Sequence, residues 1–372
     1  MRLLFVTSGL TRGGAEGFLV RLATRLATQG HAVGVAAFGS RAPLAPPLEA
    51  SGVEVVSLGG GALGPMLRLA RFARRFRPDA LQGWMYRGNL AALAAARLLG
   101  RDHPVIWSVR QGLNDLAESP WPTRALIAVC ARLSGRPYAI AYNAHSAERQ
   151  HAAAGFDSAR SRVIPNGIDL PATWRDARTR ASARLRLGLT DDAFVVVMLA
   201  RWHPVKNHRG FARAAGLFAR WHPQARFLLA GDGIDSANAA LVSWLREERI
   251  EDRVLLLGER SDVPELLAAS DVATLSSVGE ALPNALLEAM ASGIPCVAPD
   301  VGDLAALIDT TGRIVPPNDP AALAAGWRAV AAMTPGARAA LGDDARARVA
   351  ARYALDRAVE AFETLYLAAA GG

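Results

Sequence analysis

Short apolar runs alternate with Ala-rich helical stretches along the whole chain, and the alternation restarts once. Residues 2–8 read as a strand that feeds a glycine turn (9–14) and a helix to about Gln29, which Gly30 stops. Strand-like runs follow at 32–38, 53–58, 80–83, 105–109, 138–142 and 161–164, with helical stretches at 65–76, 89–99, 123–133 and 144–155. After residue 170 the pattern begins again. Strands are expected at 194–200, 226–230, 254–257, 272–276 and 294–298, and helices at 178–187, 208–221, 236–249, 263–268 and 283–291. Helical stretches at 319–327, 336–351 and 355–369 close the chain. Strands that alternate with helices return parallel to one another, which requires helices on both faces of each sheet. The chain therefore reads as two Rossmann-like α/β units. The boundary falls between Pro165 and Pro171, where Pro165-Asn166-Gly167 supplies a tight turn.

The length fits this division: 372 residues correspond to about two domains at roughly 100–200 residues each. With 51% hydrophobic and 20% charged residues, the chain has material for two cores and is no disordered sequence. No apolar run reaches the ~18–20 residues that span a bilayer. The chain opens directly into a strand-like run without a signal-peptide core, so a soluble cytosolic protein is expected. Cys130 and Cys296 are far apart in apolar settings, which suits buried thiols and neither a disulfide framework nor zinc. The His residues form no metal-binding pair.

Charge is uneven. Residues 1–170 carry 20 Arg and 10 acids, a net +10, and the remainder carries 22 Lys plus Arg and 24 acids, a net −2. Lys206 is the only lysine among 42 basic side chains. In a chain that otherwise uses Arg, that choice singles out position 206.

Three stretches suggest chemistry. In Ser276–Pro295, Glu280 lies in a loop, Pro283 fits the first helical position, Glu288 falls on the second helical turn and Gly293 stops the helix. The two acids bracket a helix start whose N–H groups at Leu282, Asn284 and Ala285 suit a diphosphate. A solvated acidic turn fits the same spacing. In Arg201-Trp-His-Pro-Val-Lys206, two cations follow directly on an apolar strand, where doubly wound sheets bind ligands. An ordinary charged loop is the alternative. Gly13-Gly14-Ala15-Glu16 opens the first helix and allows close approach to phosphate, as many α/β helices do. By contrast, Gly59, Gly61 and Gly64 match a dinucleotide fingerprint only formally, because they follow the third strand and no acid ends the next one. The helix at 65–76 places Arg68, Arg71, Arg74 and Arg75 beside Leu69, Phe72 and Phe76. It suits either an anionic membrane surface or plain solvent.

Taken together, and in this order, these residues resemble the retaining glycosyltransferases of family 4, over nearly the whole chain. Gly13–Glu16 is similar to the family's glycine loop, Pro165–Asp169 to its interdomain turn, Arg201 and Lys206 to its basic pair, and Glu280 through Glu288 to its E-x7-E element. Asn89 and the run 137–143 are also family-like. The resemblance implies the GT-B fold, two Rossmann-like domains facing each other across a cleft: residues 1–168, joined by the terminal helix 355–372, and residues 169–354. It implies a nucleotide-sugar donor in the second domain and a glycan or lipid-linked acceptor in the first, with UDP ahead of GDP. Arg201 and Lys206 would neutralise the diphosphate, and Glu280 would hold sugar hydroxyls. Glu288 would bind the ribose. Backbone groups of Ala281, Leu282, Pro283, Asn284, Gly13 and Gly14 would hold phosphate or sugar oxygens. Gly258, Glu259 and Arg260 would lie beside the base. No cofactor and no metal are expected, because cations and helix N–H groups can stabilise the leaving group. The expected setting is surface-polysaccharide synthesis in the cytoplasm, with peripheral docking to anionic membrane through Arg68, Arg71, Arg74 and Arg75.

One departure stands out. Where many relatives carry a His after the strand at 105–109, this chain has Arg110, which is expected to meet an anionic acceptor or donor. Competing readings are a sugar-nucleotide epimerase of related fold and a basic nucleic-acid- or membrane-binding protein without catalysis. Nucleic acid is disfavoured because the basic excess is spread over Arg-rich helices without interleaved aromatics.

Overall fold

The computed structural model describes every residue except 12, 40–42, 62–63, 101–102, 115, 117–119, 173–175 and 372, the last being the final residue of the expected terminal helix. The chain divides into two units, Met1–Gly167 with Leu355–Gly372, and Ile168–Ala354.

The first unit runs β1 (Arg2–Thr7), α1 (Gly14–Thr28), β2 (Ala32–Phe38), α2 (Ala45–Ala50), β3 (Glu54–Gly59), α3 (Gly64–Phe76), β4 (Ala80–Trp84), α4 (Met85–Leu98), β5 (Val105–Val109), α5 (Trp121–Leu133), β6 (Ala139–Tyr142), α6 (His145–Ala153) and β7 (Ser161–Val163). The strands form one parallel sheet in the order β3-β2-β1-β4-β5-β6-β7. The central strands are buried along their length, apart from Arg2 at the start of β1, and apolar nearly throughout, as a sheet covered on both faces demands. Close packing fixes one glycine at the carboxyl end of β1: a Cβ on Gly88 would lie 2.2 Å from the Val6 carbonyl oxygen.

The second unit runs α7 (Ala177–Arg186), β8 (Phe194–Leu199), α8 (His208–Trp221), β9 (Ala225–Ala230), α9 (Ala239–Glu247), β10 (Val254–Leu256), α10 (Val263–Ala269), β11 (Val272–Thr274), α11 (Asn284–Ala291), β12 (Cys296–Pro299), α12 (Leu304–Ile308), β13 (Gly312–Val315), α13 (Pro320–Ala331) and α14 (Pro335–Arg352). Its parallel sheet has the order β10-β9-β8-β11-β12-β13. The chain then returns to the first unit as α15 (Leu355–Gly371). Phe362 and Tyr366 of α15 are fully buried in that unit's core, Tyr366 edge-on to Phe5 and Phe362 beside Phe18.

Three elements escape periodicity: α2, α12 and β13. Each is four to six residues long, too short for a repeat to register. β13 is held by packing: a Cβ on Gly312 would lie 2.4 Å from the Cys296 carbonyl oxygen on the neighbouring strand. A second correction concerns Pro283. It is the N-cap of α11, in extended conformation, and the helix begins one residue later than expected, at Asn284. Among the described residues no helix is long and apolar enough to cross a membrane.

Candidate functional site

The second sheet changes direction between β8 and β11. After β8 the chain moves outward to β9 and β10, then returns to the other flank of β8 as β11. Loops leaving the carboxyl ends of such neighbouring strands diverge and open a binding crevice. The β8 loop carries Arg201 and Lys206, and the β11 loop carries Glu280.

These two loops are stitched together. Val278 N–H donates to the Val205 carbonyl at 2.9 Å. Ser276 Oγ donates to the carbonyls of Lys206 and Asn207 at 2.8 and 3.0 Å. Across this seam Lys206 Nζ meets Glu280 Oε1 at 2.6 Å, and Ser277 Oγ donates to the same oxygen at 2.6 Å. Both charges are largely withdrawn from solvent, with side-chain exposures of 19% and 10%.

Local sequence sets each loop. Pro204–Lys206 forms one 3-10 turn, opened by His203, whose Nδ1 accepts from Val205 N–H. Asn207 follows in the left-handed region (φ 51°) and caps α8 through Gly210 N–H at 3.0 Å. A left-handed residue that also caps a helix suits Asn. Behind Glu280, Gly302 (φ 61°) comes so close that a Cβ there would lie 2.4 Å from the Glu280 carbonyl oxygen. Asp303 N–H donates to the Ala281 carbonyl. Ser276, Ser277, His203 and Gly302 thus shape the site, although no local signal in the sequence marks them for it.

The other expected donor-side residues lie along the same sheet edge. Arg201 is exposed. Its backbone lies against Gly231, where a Cβ would approach Arg201 N to 2.8 Å. Gly231 N–H in turn donates to the Gly258 carbonyl at 2.8 Å. Gly258 (φ 64°) is therefore tied through Gly231 to the β8 loop. Glu259 and Arg260 are exposed beyond it, and Arg260 forks onto Asp262 through Nε at 2.7 Å and its terminal nitrogen at 2.5 Å. Ala281, Leu282 and Pro283 are buried in the turn before α11, and Asn284 and Glu288 are half-buried on the helix. Gly13 and Gly14 belong to the first unit, where Gly13 is the extended N-cap of α1.

In the first unit the structure corrects the expectation for Arg110. Its side chain turns into the core, and the residue is only 6% exposed. Nε donates to Ser108 Oγ at 2.8 Å and one terminal nitrogen to the Ile164 carbonyl at 2.7 Å. The rings of Phe18, Trp84 and Phe362 surround the guanidinium at 5.1–5.2 Å. Burial pulls its pKa down to about 9. Arg110 therefore joins α1, β4 and α15 inside the first unit, withdrawn from the surface of the strand end. Asn89 is also internal, its amide exchanging hydrogen bonds with the Ser108 backbone.

Beside it, Tyr86 O–H and His151 Nε2 are 2.8 Å apart, and His151 Nδ1 is 2.7 Å from the Ala147 carbonyl. A carbonyl only accepts, so Nδ1 carries the proton and Nε2 accepts from Tyr86. Desolvation lowers the His151 pKa to about 4, partly offset by the bond to Ala147. An unfolded His takes its proton near 6.5, so between those values the unfolded chain holds the extra proton. Stability of the first unit should fall as pH drops through that window, by up to roughly 3 kcal/mol. Urea melts at pH 7 and 4.5 check this: His151→Gln should lose less stability on acidification than the natural protein. Equal losses would refute it.

A family model described as Glycosyltransferase Family 4 matches residues 12–171, and one described as Glycosyl transferases group 1 matches residues 193–332. An Escherichia coli UDP-Gal:alpha-D-GlcNAc-diphosphoundecaprenol alpha-1,3-galactosyltransferase is 34% identical over 168 residues, covering 44% of this chain and 43% of that protein. A D-inositol 3-phosphate glycosyltransferase of Geodermatophilus obscurus is 28% identical over 402 aligned positions, covering 96% of this chain and 85% of that protein. The match spans less than half the length of the E. coli protein, 43%, and 36% of the Bacillus subtilis putative glycosyltransferase EpsF. Among solved structures, Anabaena HepE in complex with UDP and glucose has a TM-score of 0.85 at 23% identity, covering 98% of this chain and 99% of that one. A sucrose-phosphate synthase of Thermosynechococcus elongatus has a TM-score of 0.82 at 18% identity, covering 98% of each chain.

Proposed function

Because this chain belongs to the family 4, group 1 glycosyltransferases and has their GT-B fold, we propose that it transfers a sugar from a nucleoside-diphosphate sugar, UDP-linked ahead of GDP-linked. The acceptor is a glycan or a lipid-linked glycan of a surface polysaccharide, and transfer retains the anomeric configuration. The observation that carries this reading is the Lys206–Glu280 pair, 2.6 Å apart where the second sheet reverses direction.

In this reading the chemistry follows from charge. Bond breaking builds negative charge on the diphosphate and positive character on the sugar ring. A preorganised cation beside the first and a carboxylate beside the second lower the barrier. Lys206 has three donors. One goes to Glu280 and aims the ammonium, and the others serve phosphate oxygens together with Arg201. Glu280 takes sugar hydroxyls and holds the anomeric carbon in place. Glu288 takes the ribose, the turn at Ala281–Asn284 takes phosphate or sugar oxygens, and Gly258–Arg260 border the base. With two cations in this role, transfer proceeds without a divalent metal. A donor phosphate oxygen on the same face then receives the acceptor proton. The names of two relatives support the donor class: UDP-Gal is named for the E. coli enzyme and UDP for the HepE complex.

The test is calorimetric titration of UDP, GDP, ADP and NADH with chelator present. UDP should bind, and Lys206→Ala should abolish that binding. Binding of NADH without UDP or GDP would overturn the reading.

The acceptor side belongs to the first unit, and anionic membrane is its proposed partner. On α3, Arg75 pairs with Glu54, Arg68 donates to the Leu58 carbonyl and Arg74 to that of Leu98. Arg71 is exposed. Sedimentation with anionic vesicles should show binding that weakens with salt and falls further when Arg71, Arg74 and Arg75 become Ala. Binding indifferent to those changes would remove α3 from the membrane-facing surface.

A further inference from the structure

We propose that Ser277 is a positioning residue of the second unit's site: its buried hydroxyl holds the Glu280 carboxylate in the orientation that meets the sugar, independently of the nucleotide. The inference rests on Glu280 being the carboxylate that takes the sugar, as read above. Ser277 is fully buried, and its Oγ lies 2.6 Å from Glu280 Oε1, three positions along the same loop. That length is typical of a hydroxyl donating to a charged oxygen, roughly 2.5–2.7 Å.

The loop does not need this bond to keep its course. Side-chain hydroxyls in protein interiors mostly bond to the backbone, and Ser276 does so, onto the carbonyls of Lys206 and Asn207. On the other side Val278 N–H donates to the Val205 carbonyl at 2.9 Å. Both neighbours of Ser277 therefore already tie the loop to the one after β8. Ser277 has a single hydroxyl proton, and it goes to a side chain instead. What that bond adds is orientation. The last torsion of a Glu side chain is broad and roughly two-fold, so one partner leaves the carboxylate free to turn. Lys206 Nζ and Ser277 Oγ, arriving on one oxygen from two different loops, fix it.

The two donors are not equivalent. Lys206 carries its ammonium on a flexible stem, and in the proposed reaction it also serves the diphosphate. Its pull on Glu280 changes as the nucleotide sugar arrives and the diphosphate leaves. Ser277 sits on the same loop as Glu280, so its hold stays constant through the cycle. A displacement of about 1 Å at a reacting centre costs on the order of a hundredfold in rate, which is the scale on which such a hold matters.

The full chain is assayed in single turnovers for cleavage of UDP-galactose, UDP-glucose and GDP-mannose with water as the acceptor. Binding of UDP and GDP is measured by calorimetry on the same preparation. Ser277→Ala should slow cleavage about thirtyfold and leave nucleotide affinity within about threefold. In a Glu280→Ala background the same change should alter the rate by less than about twofold, because the group it acts through is gone. A serine with a merely structural role would slow both backgrounds alike. Should thermal melts show that Ser277→Ala does not fold, Ser277→Cys carries the same comparison, with similar volume and a weaker donor. A rate within about threefold of the natural chain, or an equal loss in both backgrounds, overturns the proposal and leaves the sugar-transfer reading standing. A natural chain that cleaves none of the donors overturns the reading of Glu280, and this inference with it.

Discussion

Glu280→Gln should lower kcat for sugar transfer by about a thousandfold while nucleotide affinity changes only a few-fold. The substitution keeps the shape, and the amide oxygen still accepts from Ser277 Oγ and Lys206 Nζ, now 2.6 Å from Glu280 Oε1. In the proposed reading, what is lost is the negative charge beside the forming oxocarbenium-like centre. Because Arg201 and Lys206, the proposed diphosphate cations, remain, ground-state binding of UDP is expected to survive. This split separates a group that acts on the sugar from one that merely holds the nucleotide. Single-turnover assays and calorimetry on the same preparation would measure it. A variant that keeps a tenth or more of its turnover would remove Glu280 from the reacting centre.

Asp271→Ala should destabilise the second unit by about 3–5 kcal/mol. Asp271 is 8% exposed and accepts from three groups on two elements: Arg180 of α7 at 2.8 Å, Arg184 of α7 at 2.8 Å and the Val195 N–H of β8 at 2.8 Å. Arg338 approaches at 3.9 Å from α14. Removing the carboxylate strands Arg184, whose side chain is only 2% exposed, as an unpaired buried cation. It also leaves a buried strand N–H without its acceptor. The expected signature is a fall of about 10 °C in the melting temperature of that unit. Asp271→Leu combined with Arg184→Met should cost less than Asp271→Ala alone, because the most deeply buried cation then leaves with its partner and only the more exposed Arg180 and Arg338 lose theirs. If the double change costs more, packing rather than uncompensated charge dominates this corner.

The folding pattern was legible wherever it is local. Strand runs such as 194–199 and helix runs such as 208–221 declare themselves by periodicity, because a strand repeats every two residues and a helix every 3.6. Elements held by a neighbour did not. β13 depends on Gly312 lying against Cys296, which no period in the sequence encodes. The start of α11 missed by one residue because Pro283 is equally compatible with a cap and with the first helical turn.

The candidate site divides in the same way. Position in the chain was enough to put Arg201, Lys206 and Glu280 in loops that follow strands, since the lone lysine and the E-x7-E spacing are local facts. The fate of Arg110 was not local. Its sequence neighbours present a cation at a strand end, and the rings that surround it come from distant parts of the chain: Phe18, Trp84 and, some 250 residues later, Phe362 of α15. By itself, then, the sequence determined two α/β units, the family and the residue types at the strand ends. Tertiary structure decided which of them meet. Lys206 and Glu280 are 74 positions apart, and their contact exists because β8 and β11 are neighbours in the sheet. Strand order is set by how helices and loops pack across the whole unit, a balance of long-range burial that no window of the chain contains.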